Sequence, residues 1–425
     1  MLSPLREHLR DSFWFAPVAA MVLVFLVWQG CAQLDGRIIE TLREADAYDA
    51  VGDLVAVVSD AKTVVTTVSS AMMTFIGVVF SISLVAVQMA SGQFTPRVVR
   101  IFVRSRITKA TLSVFLSTFL LSLLVLTSYE SETDPRLVTS VPLLQSVLTL
   151  AMVGLSLLLF VVYVNSTLRL MRVSHVVDRI TWDSFDVLAK MPWQEDEAGD
   201  FGPVTEHVVH RGRAGVLRDV NVARLVRAAR RHGVVIRLLP RIGDFVVPGT
   251  PVLAVHGGAA PKGLASSVSV SIERSFHQDL GFGLRQLTDI ALRALSPGIN
   301  DPTTAVQCLD RITQFLAALA GRPLGAAEYR EGRKGEGPVR FVQDVPTWAD
   351  LVDLGFAEIR IYSANSPQVS RRMLAGIDDL LSLAPEERRE PLLRHRALLA
   401  QAVERSTPEA ADRAFALKPD RQGIG

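Results

Sequence analysis

Residues 64–89 read VVTTVSSAMMTFIGVVFSISLVAVQM, a run without Asp, Glu, Lys or Arg. At about 1.5 Å of rise per residue, a helix of this length crosses the roughly 30 Å hydrocarbon core of a bilayer. Three other stretches share its character, at about residues 13–32, 110–129 and 142–170, and none is charged in its central part. Residues 1–174 are therefore expected to form a membrane α-helical bundle of four transmembrane helices. The bulk numbers agree: 49% hydrophobic residues and a mean hydropathy of +0.29 are too apolar for an ordinary soluble protein, while 21% charged residues are too many for a bundle alone. The first stretch, with Pro17 near its start, is expected to be a retained anchor, because no small-x-small cleavage site follows it and three more spans do. Trp28 and Gln29 ahead of Cys31 speak against lipid attachment there.

Basic residues in the flanks set the expected orientation. Arg6 and Arg10 precede the first span, Arg97, Arg100, Arg104, Arg106 and Lys109 crowd the link after the second, and Arg169, Arg172 and Arg179 follow the fourth. The link between the third and fourth spans has only Arg136. Both termini are expected inside, in a bacterial inner membrane. The first external loop then carries Asp35, Glu40, Glu44, Asp46, Asp49, Asp53 and Asp60 against Arg37, Arg43 and Lys62, an acidic face for which a plain solvated loop is the first reading and a cation-concentrating surface the second.

Within the second span Thr67, Ser70, Thr74, Gly77, Ser81 and Gln88 recur at intervals of three, four and seven, which puts them on one helical stripe. Two readings stay open. Small residues and hydroxyls suit close helix packing, and they also suit the wall of a hydrated path within one subunit or around an oligomer axis. Gln88 requires partners from another helix or from water.

Beyond about His175 charge rises, and Pro and Gly appear. Residues 175–265 are expected to form a β-rich domain, with a short arginine-rich helix at about Val222–Arg231 and strands around the turns Ile242-Gly243-Asp244 and Pro248-Gly249. The stretch from Gly233 to Val255 resembles the hairpin of biotinyl/lipoyl-like barrel-sandwich domains. A carrier role requires a lysine at the tip, and none lies between Lys190 and Lys262, so no cofactor is expected. Arg224, Arg227 and Arg231 share one face of the short helix; a solvated face or an anionic surface accounts for them, and no nucleic-acid partner is expected at a net charge of +2. His207 and His210, three apart in an extended segment, point to opposite sides and make no metal site. Cys31 and Cys308 fall in different regions and are not expected to pair.

Residues 266–425 are expected to be a helical domain, the whole cytoplasmic part being α+β. Leu280, Leu284, Leu287, Ala291 and Leu295 give a helix over about Gln278–Leu295, which Ser296-Pro297-Gly298 breaks. Asp301 and Pro302 start the next helix, to Ala320, as acidic cap and first-turn proline. Further helices are expected within Pro346–Ile361, Gln368–Leu383, Glu386–Ser406 and Pro408–Ala416, with a mobile loop between Ala320 and Pro338 and disorder over Asp420–Gly425. Arg285, Asp289 and Arg293, four apart, are placed to pair along one face. An enzyme using Asp279 and Asp289 as acid and base has no nucleophile, phosphate cradle or metal set to support it, so no catalytic residues are assigned.

The block Gln88-Met-Ala-Ser-Gly-Gln-Phe-Thr-Pro-Arg97 and the block Arg274–Ala305, with its core Ala-Leu-Ser-Pro-Gly-Ile-Asn-Asp-Pro, together resemble the bacterial predicted membrane proteins catalogued as domain of unknown function 2254. The resemblance implies a bacterial inner-membrane protein and assigns no catalytic role. Its motif falls here on Gln88, Gln93, Pro96, Arg97, Gln278, Asp279, Arg285, Asp289, Ser296, Pro297, Asn300, Asp301 and Pro302. The expected function is a homo-oligomeric ion channel or channel-like transporter with a cytoplasmic regulatory domain. The alternative is a non-transporting scaffold or sensor that binds a protein partner at the membrane.

Overall fold

In a computed structural model the chain is described over residues 14–93, 105–129, 140–170, 172–192, 194–195, 199–331 and 337–422. The Gln93 side chain, Pro96 and Arg97 of the expected motif lie outside the described residues, as do the arginines at 6, 10, 100, 104 and 136. The chain divides into two compact units, Met1–Arg172 and Val173–Gly425.

Among the described residues the first unit holds four helices, α1 (Phe15–Glu44), α2 (Tyr48–Gln93), α3 (Arg106–Thr127) and α4 (Leu143–Leu170), all long and apolar enough to cross a membrane. Helix α3 packs on the other three and is the most buried. Ser105 opens it, accepting a hydrogen bond from the Thr108 amide at 3.3 Å. Hydroxyls hold the packed faces together: Thr118 and Ser156 meet at 3.1 Å across α3 and α4, and Ser83 meets the Tyr163 hydroxyl at 2.6 Å across α2 and α4. Phe75 fills the space between them, edge-on to Phe115 and Phe160.

The expected external loop is instead helical. Helices α1 and α2 run on past the apolar stretches and meet at a turn over residues 45–47, where Asp46 takes a positive φ of 51°. Val51 and Val58 on α2 pack against Ile39 on α1, and this apolar seam makes a charged segment fold as a helical hairpin. Asp35 is likewise no loop residue. It is 1% exposed on α1, and its carboxylate accepts from the Leu144 amide at 2.9 Å and the Gln145 side chain at 3.2 Å, closing the first turn of α4.

The second unit opens with α5 (Val173–Lys190), an amphipathic helix that buries Val176, Val177, Ile180, Val187 and Leu188. Among the described residues nine strands follow, with further helices: β1 (Gln194–Glu195), β2 (Val204–Val209), β3 (Gly215–Val220), α6 (Val222–His232), β4 (Val235–Leu238), β5 (Phe245–Val246), β6 (Pro251–His256), β7 (Val268–Ser271), α7 (Phe282–Ala294), α8 (Pro302–Leu319), β8 (Ala326–Arg330), β9 (Val339–Asp344), α9 (Trp348–Ser363), α10 (Pro367–Leu383), α11 (Arg389–Ser406) and α12 (Ala410–Ala416). One sheet runs β1-β8-β9-β4-β6-β2, antiparallel except where β4 and β9 pair in parallel, and a second runs β5-β3-β7. Both are open, so the described strands do not close into the barrel-sandwich suggested by the Gly233–Val255 pattern. That pattern does hold locally: β4 pairs with β6, and Gly243 and Gly249 turn the chain at φ of +101° and +91°.

The expected loop between Ala320 and Pro338 contains β8, which pairs with β9 and extends the six-stranded sheet. Strands from both sides of residue 265 therefore share one sheet and one core, with Ile236, Leu253 and Phe341 fully buried in it. Helix α7 starts at Phe282, four residues later than its spacing suggests, because Gln278 is drawn off to bond the Val220 backbone. Residues 420–422 are placed: the Asp420 carboxylate accepts from Arg371 at 3.1 Å, so the expectation of disorder fails there.

Candidate functional site

The outward face of α2 is the most distinctive surface of the first unit. Val51, Val58, Val65, Met72, Val79 and Ala86 recur every seven residues, and all six are buried against the rest of the bundle. Two positions after each stands Asp53, Asp60, Thr67, Thr74, Ser81 and Gln88, a second ladder of the same period, and all six are exposed. Two residues advance a helix by about 200°, so the polar ladder points away from the bundle. A flanking ladder, Asp49, Ala56, Thr63, Ser70, Gly77 and Leu84, is exposed as well. Together they form a seam alternating by three and four residues from Asp49 to Gln88, about 58 Å long, with Leu84 its one large apolar side chain.

The packing reading of Thr67, Ser70, Thr74, Gly77, Ser81 and Gln88 gains no support within one chain, since all six stay exposed there. Their neighbours on other outward faces are ordinary lipid-facing side chains, such as Met73 at 63% and Phe80 at 61% exposure. Thr67 and Ser70 donate their protons to the carbonyls of Thr63 and Thr66 at 2.9 and 3.2 Å, which leaves oxygen lone pairs turned outward. Outward oxygen acceptors below three carboxylates make a face suited to water and cations. Sequence reading missed Asp49, Asp53, Asp60 and Thr63 as members of this face because the charged segment read as a loop. The seven-residue spacing from Asp53 to Gln88 was the signal that could have joined them.

The second block is a set of internal fasteners. Arg274 clamps Asp279 with two bonds of 2.7 and 2.8 Å and stacks over the Phe282 ring. Burial pushes the Asp279 carboxyl above the usual range, and Arg274 pulls it back. A Cβ on Gly243 would stand 2.8 Å from Asp279 Oδ2, so the turn before β5 fits onto this pair only as glycine. Gln278 reads both the amide and the carbonyl of Val220, at 2.9 and 3.1 Å. Arg285 bonds Asp289 at 2.7 Å and reaches Glu358 on α9 at 2.5 and 2.9 Å, and this contact holds the Glu358 carboxyl below its ordinary range.

Ser296, Pro297, Asn300, Asp301 and Pro302 build the α7–α8 turn. Asn300 takes φ +49°, the Asp301 amide bonds back to Ala294 at 2.8 Å, and the Asp301 carboxylate caps α8 through the Thr304 amide at 3.0 Å. Asp279 and Asp289 are thus engaged by different arginines. His207 pairs with Ala254 in the β2–β6 ladder while the His210 ring bonds the Arg213 carbonyl, and among the described residues no three His, Cys, Asp or Glu side chains converge as a metal set.

Four apolar helices followed by a mixed helical and sheet unit define a multi-helix membrane protein with a second, α and β, unit. The chain belongs to the family described as predicted membrane protein (DUF2254), which it matches over residues 10–379. It is 28% identical over 383 residues to an uncharacterised protein of Mycobacterium bovis, covering 84% of this chain and 71% of the relative. An uncharacterised protein of Mycobacterium tuberculosis strain H37Rv matches with the same identity and coverage. No solved structure matches the chain.

Proposed function

We propose that copies of this chain assemble in the bacterial inner membrane around the outward seam of α2 and enclose a hydrated, channel-like path for cations. The observation that carries this reading is the pair of seven-residue ladders, apolar toward the bundle and polar away from it over the full seam. A strict seven-residue repeat drifts about 20° per heptad on a straight helix, so helices keeping the seam toward a common axis wind left-handed around it. Small side chains allow close approach in the apolar part. At the end nearest the α1–α2 turn, Asp49, Asp53 and Asp60 from neighbouring copies repel one another when packed dry, which favours a water-filled, cation-attracting mouth.

In this arrangement both termini lie in the cytoplasm, as the flanking arginines and lysines favour, and the acidic mouth opens on the other side. The second unit acts as the cytoplasmic regulatory part. Purified protein in liposomes, at a protein-to-lipid ratio giving several copies per vesicle, should pass potassium and exclude chloride. Ser81→Leu should abolish the flux, and Asp53→Asn with Asp60→Asn should reduce its preference for cations. A folded, oligomeric sample that passes neither ion under voltage, tension or a pH step overturns the channel and leaves the scaffold reading.

A further inference from the structure

We propose that one end of the β5-β3-β7 sheet is a docking tip for an anionic phospholipid surface. Three large apolar side chains stand out there: Phe245 at 68%, Val247 at 49% and Ile272 at 92% exposure. Sheet register brings them together. Val216 on β3 pairs with Phe245 on one side and Ser271 on the other, and Gly215 pairs with Val246, so Val247 and Ile272 flank the start of the same strand.

The neighbouring loop carries Arg211 and Arg213, both exposed. It is fixed beside the β5–β6 turn by bonds between the His210 and Thr250 backbones at 2.8 Å and between Gly249 and His210 at 2.8 Å. Neither guanidinium has an ion-pair partner among the described residues. The acids nearby are accounted for: Asp244 accepts from the Arg241 amide at 2.8 Å, and Glu273 is engaged within the fold. An apolar tip rimmed by unpaired arginines complements a headgroup layer of negative charge over hydrocarbon. The unit that carries it starts at Val173, three residues after a helix long and apolar enough to cross a membrane, so a bilayer is always near in sequence terms. The proposal does not depend on the α2 seam.

The test uses the full chain, with Cys31→Ser and Cys308→Ala, in nanodiscs. An environment-sensitive dye is attached at Ala214→Cys, next to Val247 across the register, and at Leu393→Cys as an exposed reference. In discs rich in phosphatidylglycerol the dye at 214 should emit to the blue of the reference and be quenched by lipid-borne spin labels. Phosphatidylcholine discs should show much less of both. Phe245→Asp with Ile272→Asp should remove the quenching, and Arg211→Ala with Arg213→Ala should lower the docked-to-free ratio about fivefold per arginine, with amide exchange of β3 and β6 confirming that the unit stays folded. Equal, unquenched emission at both positions in anionic discs overturns the proposal. So does protection that is indifferent to lipid charge and rises with protein concentration, the mark of a second copy on the tip.

Discussion

Gly243 and the Arg274–Asp279 pair form a close-fitting junction in the second unit, and each member has a measurable consequence. A methyl group at 243 meets Asp279 Oδ2 at 2.8 Å on backbone already at φ +101°, so Gly243→Ala should loosen the β3, β5 and α7 amides together in hydrogen exchange. Arg274→Met strands a carboxylate that is 3% exposed, and it should destabilise the unit by about 3–5 kcal/mol in chemical denaturation. Asp279→Asn, which keeps a partner for the guanidinium, should cost less. His395 supplies a pH signature. Burial holds its imidazole below the ordinary value of 6.5, against the opposing pull of Asp353 at 2.7 Å, while Arg360 and Arg394 add to the depression. The unfolded chain then takes up the proton first as pH falls, so this contribution is complete above about pH 6.5 and is lost as pH drops through the depressed folded value. Amide protection of α9 and α11 should fall as pH drops below about 6.5, and His395→Gln should flatten that slope. The Arg285–Asp289 pairing was legible in its four-residue spacing, whereas the contacts of Gly243, Val220 and Glu358 were not, because those residues come from distant segments.

Elements whose ends are written in local chemistry were read closely. Asn221 and Gly233 bracket α6, Asp301 with Pro302 starts α8, and the Thr347–Asp350 capping box starts α9, each within two residues of expectation. Elements that depend on distant partners were missed. Strand β9 finds its parallel partner β4 about a hundred residues earlier, and the glycines around β8 gave no strand signal. Helix α5 was hidden because its apolar positions are diluted by charge. The start of α4 was read within one residue, at Pro142, but its first turn is closed by Asp35 from α1, a contact that only the fold discloses. Asp35→Ala leaves the Leu144 amide without its carboxylate partner, and the protein should lose about 1–3 kcal/mol of stability in a thermal melt in detergent. Asp35→Asn, which can still accept one bond, should lose less.

At the scale of the whole molecule, the four apolar stretches and the change of character after them were visible in composition, and the structure lengthens two of them into a helical hairpin. Helix α2 has 46 residues, about twice what a bilayer requires. Its charged and apolar parts share one unbroken pair of ladders, and a reading that stopped at the hydropathy boundary split them. A solitary chain gains nothing from a polar line that faces lipid from Thr67 to Gln88, about 32 Å, whereas a ring of copies would turn that line inward. The direct measurement is disulfide formation between copies in native membranes, after replacing Cys31 and Cys308. Single cysteines at 53, 60, 67, 74, 81 and 88 should cross-link copies readily, while cysteines at 51, 58, 65, 72, 79 and 86 should not. Equal cross-linking on both ladders, or none on the polar one, contradicts the account.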